Sequence, residues 1–421
     1  MADPALAVTL RFRLDRERDH DAVRRAAESL CAEVSRRGGV IGGWGDVVAA
    51  ALHPALPAIE AQPSGASLIG RACCWPAGPG FHETVLAVLA AVAEDAAVDL
   101  HVDDPTSFQV SGDRAVLERS FVDALTDAAR TALGFMEQVG PRAHVQLGMP
   151  REGDLEHLRL EGDPPGLYTP EGKRDLAWIK SLAVGELPPE AFFPWWQTEL
   201  DEDGARRLAR SLVETRLTWR PARTDRQRHL RRVALEGLRR GAESAPLEIL
   251  RLRTSLEKLA SGEDATLPVG LRAHRRIAPL AGGWSTIVPG HFEVATADGL
   301  HVPPGVEAGF VLIDVHTRIE ALAQAAPAGI ALSERIANVL AQPAAELACL
   351  RVEPDKEPRF GGYAVERPLA DGGTVLIGSL VGERSHLAIR IVTTKEGDVE
   401  DGRAIFQSIA PERPSPTVLT L

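Results

Sequence analysis

Two adjacent thiols followed by an imidazole are the first groups in this 421-residue chain whose spacing suggests chemistry. Cys73 and Cys74 close an apolar run that reads as a strand, and His82 falls on the first turn of the helical pattern that follows. A thiolate beside a helix N-terminus and an imidazole has a lowered pKa and is a nucleophile. With Leu68, Ile69 and Trp75 in the same segment, a core strand in which Cys packs as a small hydrophobe is the simpler expectation. His101 and Asp103 share one face of a strand, as do Asp314 and His316. A metal site takes three or four ligands, and neither pair has a third nearby, so polar strand edges are expected. Gly38-Gly-Val-Ile-Gly-Gly43 and Gly361-Gly362 lack the Lys-Ser/Thr ending of a phosphate loop and read as turns. The acids from Asp398 to Asp401 read as a solvated turn and helix start. No catalytic set, metal or cofactor is expected from these patterns.

Arginine gives the sharper signal. Between Arg206 and Arg240 stand twelve arginines against Glu214, Asp225 and Glu236. Arg226, Arg228, Arg231, Arg232, Arg239 and Arg240 mostly avoid the apolar stripe of their helical pattern. With Arg206, Arg207 and Arg210 they make a basic face, near Trp195, Trp196 and Trp219, suited to phosphates and stacked bases. The simpler account docks these helices on the protein's own acidic ends. Phe192-Phe-Pro-Trp-Trp196 reads as a core plug before it reads as an exposed protein-binding patch. The candidate binding residues are therefore Arg226, Arg228, Arg231, Arg232, Trp195 and Trp196.

Charge and composition bound the class. The formal net charge of −12 is uneven: residues 1–150 carry 13 basic and 20 acidic groups, 284–421 carry 11 and 18, and 151–283 carry 23 and 21. A hydrophobic share of 44% excludes wholesale disorder, and the length predicts two to three domains. Four cysteines without framework spacing fit reduced thiols. No signal peptide is visible, and the apolar run Val85 to Val98 is broken by Glu94 and Asp95. With Arg far above Lys, a cytoplasmic bacterial protein without membrane contact is expected.

Periodicity then supplies the elements that position these groups. Strands are predicted at 6–13, 40–41, 67–75 and 98–102, with helices at 19–37, 81–97 and 113–133. That β-α-β-β-α-β order is the one a ferredoxin-like unit has. Short strands at 143–147 and 155–160 precede a Pro- and Gly-rich loop, then helices from 203, 225–240 and 245–260. After Gly282-Gly283 come strands at 284–288, 291–295, 309–315, 363–367, 374–381 and 386–393, with helices at 332–340 and 401–409. Ala370-Asp-Gly-Gly373 is a hairpin signal. The predicted organisation is α+β and multidomain: an N-terminal α+β domain (1–160), a loop and Arg-rich helical linker (161–282), and a C-terminal α+β domain (283–421).

Residues 284–410 resemble the Mog1/PsbP-like group of small α+β sandwiches. The matching pieces are Trp284-x-x-x-x-Pro289, the Asp298-Gly299 turn, Phe360-Gly-Gly362, Asp371-Gly-Gly373 and Ile405-Phe-Gln-Ser-Ile409. The resemblance implies a non-catalytic, partner-binding domain, and no residue-level role carries over. The expected function is therefore a non-enzymatic accessory protein, immunity or secretion-associated, that binds another protein of basic charge. The alternatives are an enzyme with a dispersed N-terminal site using Cys73, Cys74 or His101, and nucleic-acid binding through the Arg206–Arg240 face.

Overall fold

Alternating burial along β1 (Thr9–Asp15) turns Leu10, Phe12 and Leu14 inward and Arg11 and Arg13 to solvent. α1 (Asp21–Arg36) starts on an acid, ends on a base, and buries Val23, Ala26, Leu30 and Val34 along one stripe. A four-strand meander follows: β2 (Val40–Trp44), β3 (Val47–Ala51), β4 (Ile59–Ser64) and β5 (Ser67–Cys73). Then come α2 (Pro79–Ala96) and β6 (Asp99–Asp103). The sheet order is β2-β3-β4-β5-β1-β6, with β1 antiparallel to both β5 and β6. The order β4-β5-β1-β6 is that of a ferredoxin-like unit, but the strand beside β5 is the unpredicted β4, and the strand expected at 40–41 lies at the far edge in the β2–β3 hairpin. β3 and β4 escaped prediction because Val47–Ala51 does not alternate in polarity and Ile59–Ser64 contains Pro63. The computed structural model describes residues 7–421 apart from 17–18, 20, 150–158, 161–165, 220–221, 223–224, 241–245, 262–268, 271–274, 296–305, 307, 315, 342–348, 353–358, 396, 398 and 412–416.

α3 (Arg114–Val139) is capped by Asp113, whose side chain accepts from Ala115 N–H. Beyond it lie β7 (Ala143–Gln146), β8 (Arg159–Leu160), β9 (Leu167–Thr169), β10 (Gly172–Arg174), α4 (Leu176–Ala183), α5 (Glu202–Thr215), α6 (Asp225–Arg239) and α7 (Leu247–Ala260). The middle of the chain is not a linker. Leu208, Leu212, Ala234, Leu238, Leu252 and Leu256 share one buried cluster with Leu10, Phe81 and Phe121. Gly237 makes the close crossing possible, since a Cβ there would lie 2.7 Å from that of Ala209.

The second body holds β11 (Arg275–Pro279), β12 (Trp284–Pro289), β13 (Glu293–Ala295), β14 (Ala308–Ile313), β15 (Thr317–Ala325), α8 (Leu332–Leu340), β16 (Cys349–Val352), β17 (Phe360–Pro368), β18 (Thr374–Gly382), β19 (Ser385–Thr393), α9 (Val399–Gln407) and β20 (Ala410–Pro411). Its seven-stranded sheet runs β13-β14-β15-β19-β18-β17-β16, every pair antiparallel. Glycines seat the helices on opposite faces: Gly378 makes room for the Phe406 ring of α9, and Gly361 for Ile336 of α8. β15 was not expected, because its Ala, Glu and Gln content suits a helix. Its period-two burial of Thr317, Ile319, Ala321 and Ala323 decides for a strand.

Gly282-Gly283 is a connection rather than a boundary. It joins β11 to β12, Leu280 N–H donates to Trp284 O (2.7 Å), and the second core begins by Ala278. The chain also crosses between bodies elsewhere. β8 pairs with β11, so the last residues of the expected first domain join the second body's small sheet. In return, β21 (Thr417–Thr420) lies parallel to β7, and Leu421 N–H donates to Gln146 O (2.9 Å). Among the described residues the protein is thus α+β with two main cores and a smaller cluster of Ile336, Val339 and Val381, and its boundaries are interleaved. The Asp298-Gly299 turn, residues 155–158 of a predicted strand, and Asp398 lie outside the described residues. Among the described residues no helix is long and apolar enough to cross a membrane.

Candidate functional site

Cys74 and His82 are both sealed from solvent. Cys74 is fully buried, and burial first, then Cys73 and Asp104, push its thiol well above the ordinary range. Cys73 Sγ points at Trp75 O (3.1 Å). His82, also fully buried, sets Nε2 3.3 Å from Asp104 Oδ1, with Phe108 and Phe121 edge-on to its ring. Asp104 further accepts from Thr106 Oγ1 (2.7 Å), Thr106 N–H (3.0 Å) and Gln109 N–H (2.8 Å). Burial alone would raise this carboxyl, but the bonds from His82, Gln109 and Thr106 outweigh it and hold it well below the usual range. A thiol so protonated and so enclosed is a packing group, not a nucleophile. Asp104 as the partner of His82 was missed. The Asp104-Pro-Thr106 turn was its one sequence signal.

The two metal pairs do not gain a third ligand. His101 lies 3.6 Å from Asp15, and Asp103 lies 3.6 Å from Arg11, all on the solvent face of the first sheet. Asp314 faces His291 (3.5 Å), while His316 Nδ1 meets Thr394 Oγ1 (3.1 Å). Among the described residues no three His, Cys, Asp or Glu converge.

The arginine face is real only in part. Arg226, Arg228 and Arg232 are exposed on α6. Arg231 is not: it is buried in line with Ala234, Leu235 and Leu238 and donates to Thr218 O (3.3 Å), so it is withdrawn from any surface. Arg207 is consumed by Glu171 (Nε to Oε1, 2.7 Å) and by the carbonyls of Glu190, Ala191 and Phe193. Those bonds anchor the aromatic segment. Phe192 and Phe193 are buried against Trp75, and Trp196 stacks on Phe193 (5.9 Å). Trp195 packs on Phe81, while its backbone N–H donates to Ala77 O and its carbonyl accepts from Gly80 N–H. Trp195 and Trp196 therefore plug the first core, and no contact among the described residues joins them to Arg226, Arg228 or Arg232. Beside the plug, Glu171, Arg174, Arg207, Trp178, Phe192 and Ser211 line a small cleft of about 20 Å³. The Ser211 hydroxyl there is buried without a partner among the described residues.

No family model and no curated protein matches this sequence. A crystal structure from Bacteroides thetaiotaomicron VPI-5482 matches at 9% identity with a TM-score of 0.24. The match covers 34% of this chain and 50% of that one, so the chain spans about half the length of this neighbour. At such a score the likeness carries no argument about role.

Proposed function

We propose that this is a non-enzymatic bacterial accessory protein, immunity or secretion-associated, that acts in the cytoplasm by binding a basic protein. The observation in its favour is where the cations of the middle segment go. Arg206, Arg207, Arg210, Arg228 and Arg239 pair with Asp203, Glu171, Glu248, Asp225 and Glu257, all between residues 151 and 283. These arginines are therefore not spent on the acidic ends, as the docking account had expected. Each end keeps its excess of seven negative charges (20 against 13, and 18 against 11). Asp123, Glu137, Asp371 and Glu383 are among its exposed carriers. A field of one sign steers and orients a partner of the other sign. The resemblance of the C-terminal domain to a binding-type fold group agrees with this reading. The test is capture from lysate of the source cell at low and high ionic strength, repeated with Asp123→Lys and Glu137→Lys combined. A basic protein held at low salt, released at high salt and weakened by charge reversal is expected. Capture of no protein, or of one indifferent to both changes, refutes the reading.

A further inference from the structure

The two edges of the first sheet differ in how they meet solvent. β6 closes one edge and carries Asp99, His101 and Asp103, charged and polar groups that discourage a further strand. β2 closes the other and is hydrogen-bonded to β3 alone among the described residues. Its five residues, Val40–Trp44, include no charge and no proline. Ile41, Gly42 and Gly43 are exposed along it. Ile41 keeps 37% of its surface, although the register places it on the same face as the buried Ala50, Ile59 and Leu10.

The hairpin decides which backbone groups are free. Gly45 and Asp46 alone join β2 to β3, and around a two-residue loop the flanking pair, Trp44 with Val47, exchanges both bonds. Alternation turns the N–H and C=O of Val40 and Gly42 toward β3 as well, and those of Ile41 and Gly43 outward. Charge stands only beyond the two ends. Before β2, Arg36 and Arg37 share the one carboxylate of Glu33, so that end stays positive. After it comes Asp46, exposed and without a cation among the described residues.

We propose that β2 pairs antiparallel with β2 of a second copy of this chain, continuing the sheet across a two-fold axis. Full overlap of Val40–Trp44 sets Gly42 against itself and Ile41 against Gly43 of the other copy. The outward groups are then matched, in about four hydrogen bonds. Gly43 brings no side chain to obstruct Ile41, whose exposed surface is covered. The same register brings Asp46 of each copy opposite Gly38 of the other, one residue from Arg37, so opposite charges meet at both ends. A strand laid parallel would bring like charges together instead. The contact is independent of the acidic surface on which the protein-partner reading rests, so either can fail alone.

Sedimentation of the full chain from micromolar to near-millimolar concentration tests the pairing, with amide exchange as a second readout that needs no variant. A monomer–dimer equilibrium is expected, in which the Ile41 and Gly43 amides exchange more slowly as concentration rises. Ile41→Lys places an ammonium on the edge and should weaken association about tenfold or more. Asp46→Lys sets cations against Arg36 and Arg37 and should weaken it a few-fold. Both positions are exposed in the single copy, so each variant should keep the wild-type urea midpoint. A monomer at every concentration overturns the proposal. So does a dimer that either substitution leaves unchanged, or one whose Ile41 and Gly43 amides exchange as fast as in the dilute protein.

Discussion

Acid should loosen the first body in part through the His53 ring. His53 is held down from its ordinary 6.5 to about 4, by burial first and by Arg240 and His229 second. As pH falls through 6.5 the unfolded chain takes up a proton at this position, while the folded chain refuses it until about 4. In that window the unfolded state binds more protons, so stability rises with pH. The contribution is complete above 6.5 and is lost progressively toward 4. At about 1.4 kcal/mol per pH unit the whole window is worth about 3 kcal/mol, an upper bound because the ring is not wholly shut off from water. Urea unfolding at pH 7 and near pH 4.5, for wild type and His53→Asn, measures it, since Asn Oδ1 preserves the acceptor for Ala55 N–H. Asp104 and the other carboxylates titrate in both proteins and cancel in the difference. Wild type is expected to lose about 2 kcal/mol more than the variant on acidification. Equal losses in the two proteins, or a His53 resonance titrating near its ordinary value, would refute the electrostatic reasoning.

Other consequences follow from burial and close approach. Asp104→Ala removes the acceptor of four bonds and leaves His82 without its carboxylate; a loss of about 3 kcal/mol is expected in thermal or urea unfolding. In wild type, stability from Asp104 is present above the ordinary carboxylate pKa and is lost as acid approaches its depressed one. Gly80→Ala would set a Cβ 1.7 Å from Gln197 O, so about 1–3 kcal/mol should be lost, whereas Gly42→Ala meets open space and should cost little of that kind. Cys74 should react with a thiol reagent only on unfolding, and fast native labelling at that residue would reopen the nucleophile reading. Removing residues 417–421 should speed amide exchange along Ala143–Gln146, while strands β17 to β19 keep their protection.

The α+β class was legible because β1 alternates and the helices carry stripes. β3 and β15 were not, for a shared reason. Alanine fits either element, and only the neighbours across the sheet decide. The candidate residues divide in the same way. Arg231 was readable in principle, since its spacing to Ala234, Leu235 and Leu238 is that of a buried stripe. The adjacent stripe through Leu230 and Val233 competes with it and hides it. The pairing of His82 with Asp104 joins a helix to the turn after β6, so the Asp104-Pro-Thr106 pattern marks the turn but not its distant partner. His53 stands alone in a loop, and nothing in its neighbourhood hints that α6 will bring it Arg240.

The closing strand imposes an order on biosynthesis. β21 leaves the ribosome after every strand of the second body, yet its seat is beside β7 in the first. At translation rates of about 5–20 residues per second, the stretch between those strands takes tens of seconds to make. Throughout that interval the nascent first body presents β7 as a bare sheet edge, the kind of edge that recruits foreign strands. On a polysome, the strand closest to hand can belong to the chain ahead. Slow translation of the second body should therefore raise the yield of entangled dimers that share β21, with no change in the sequence of either copy.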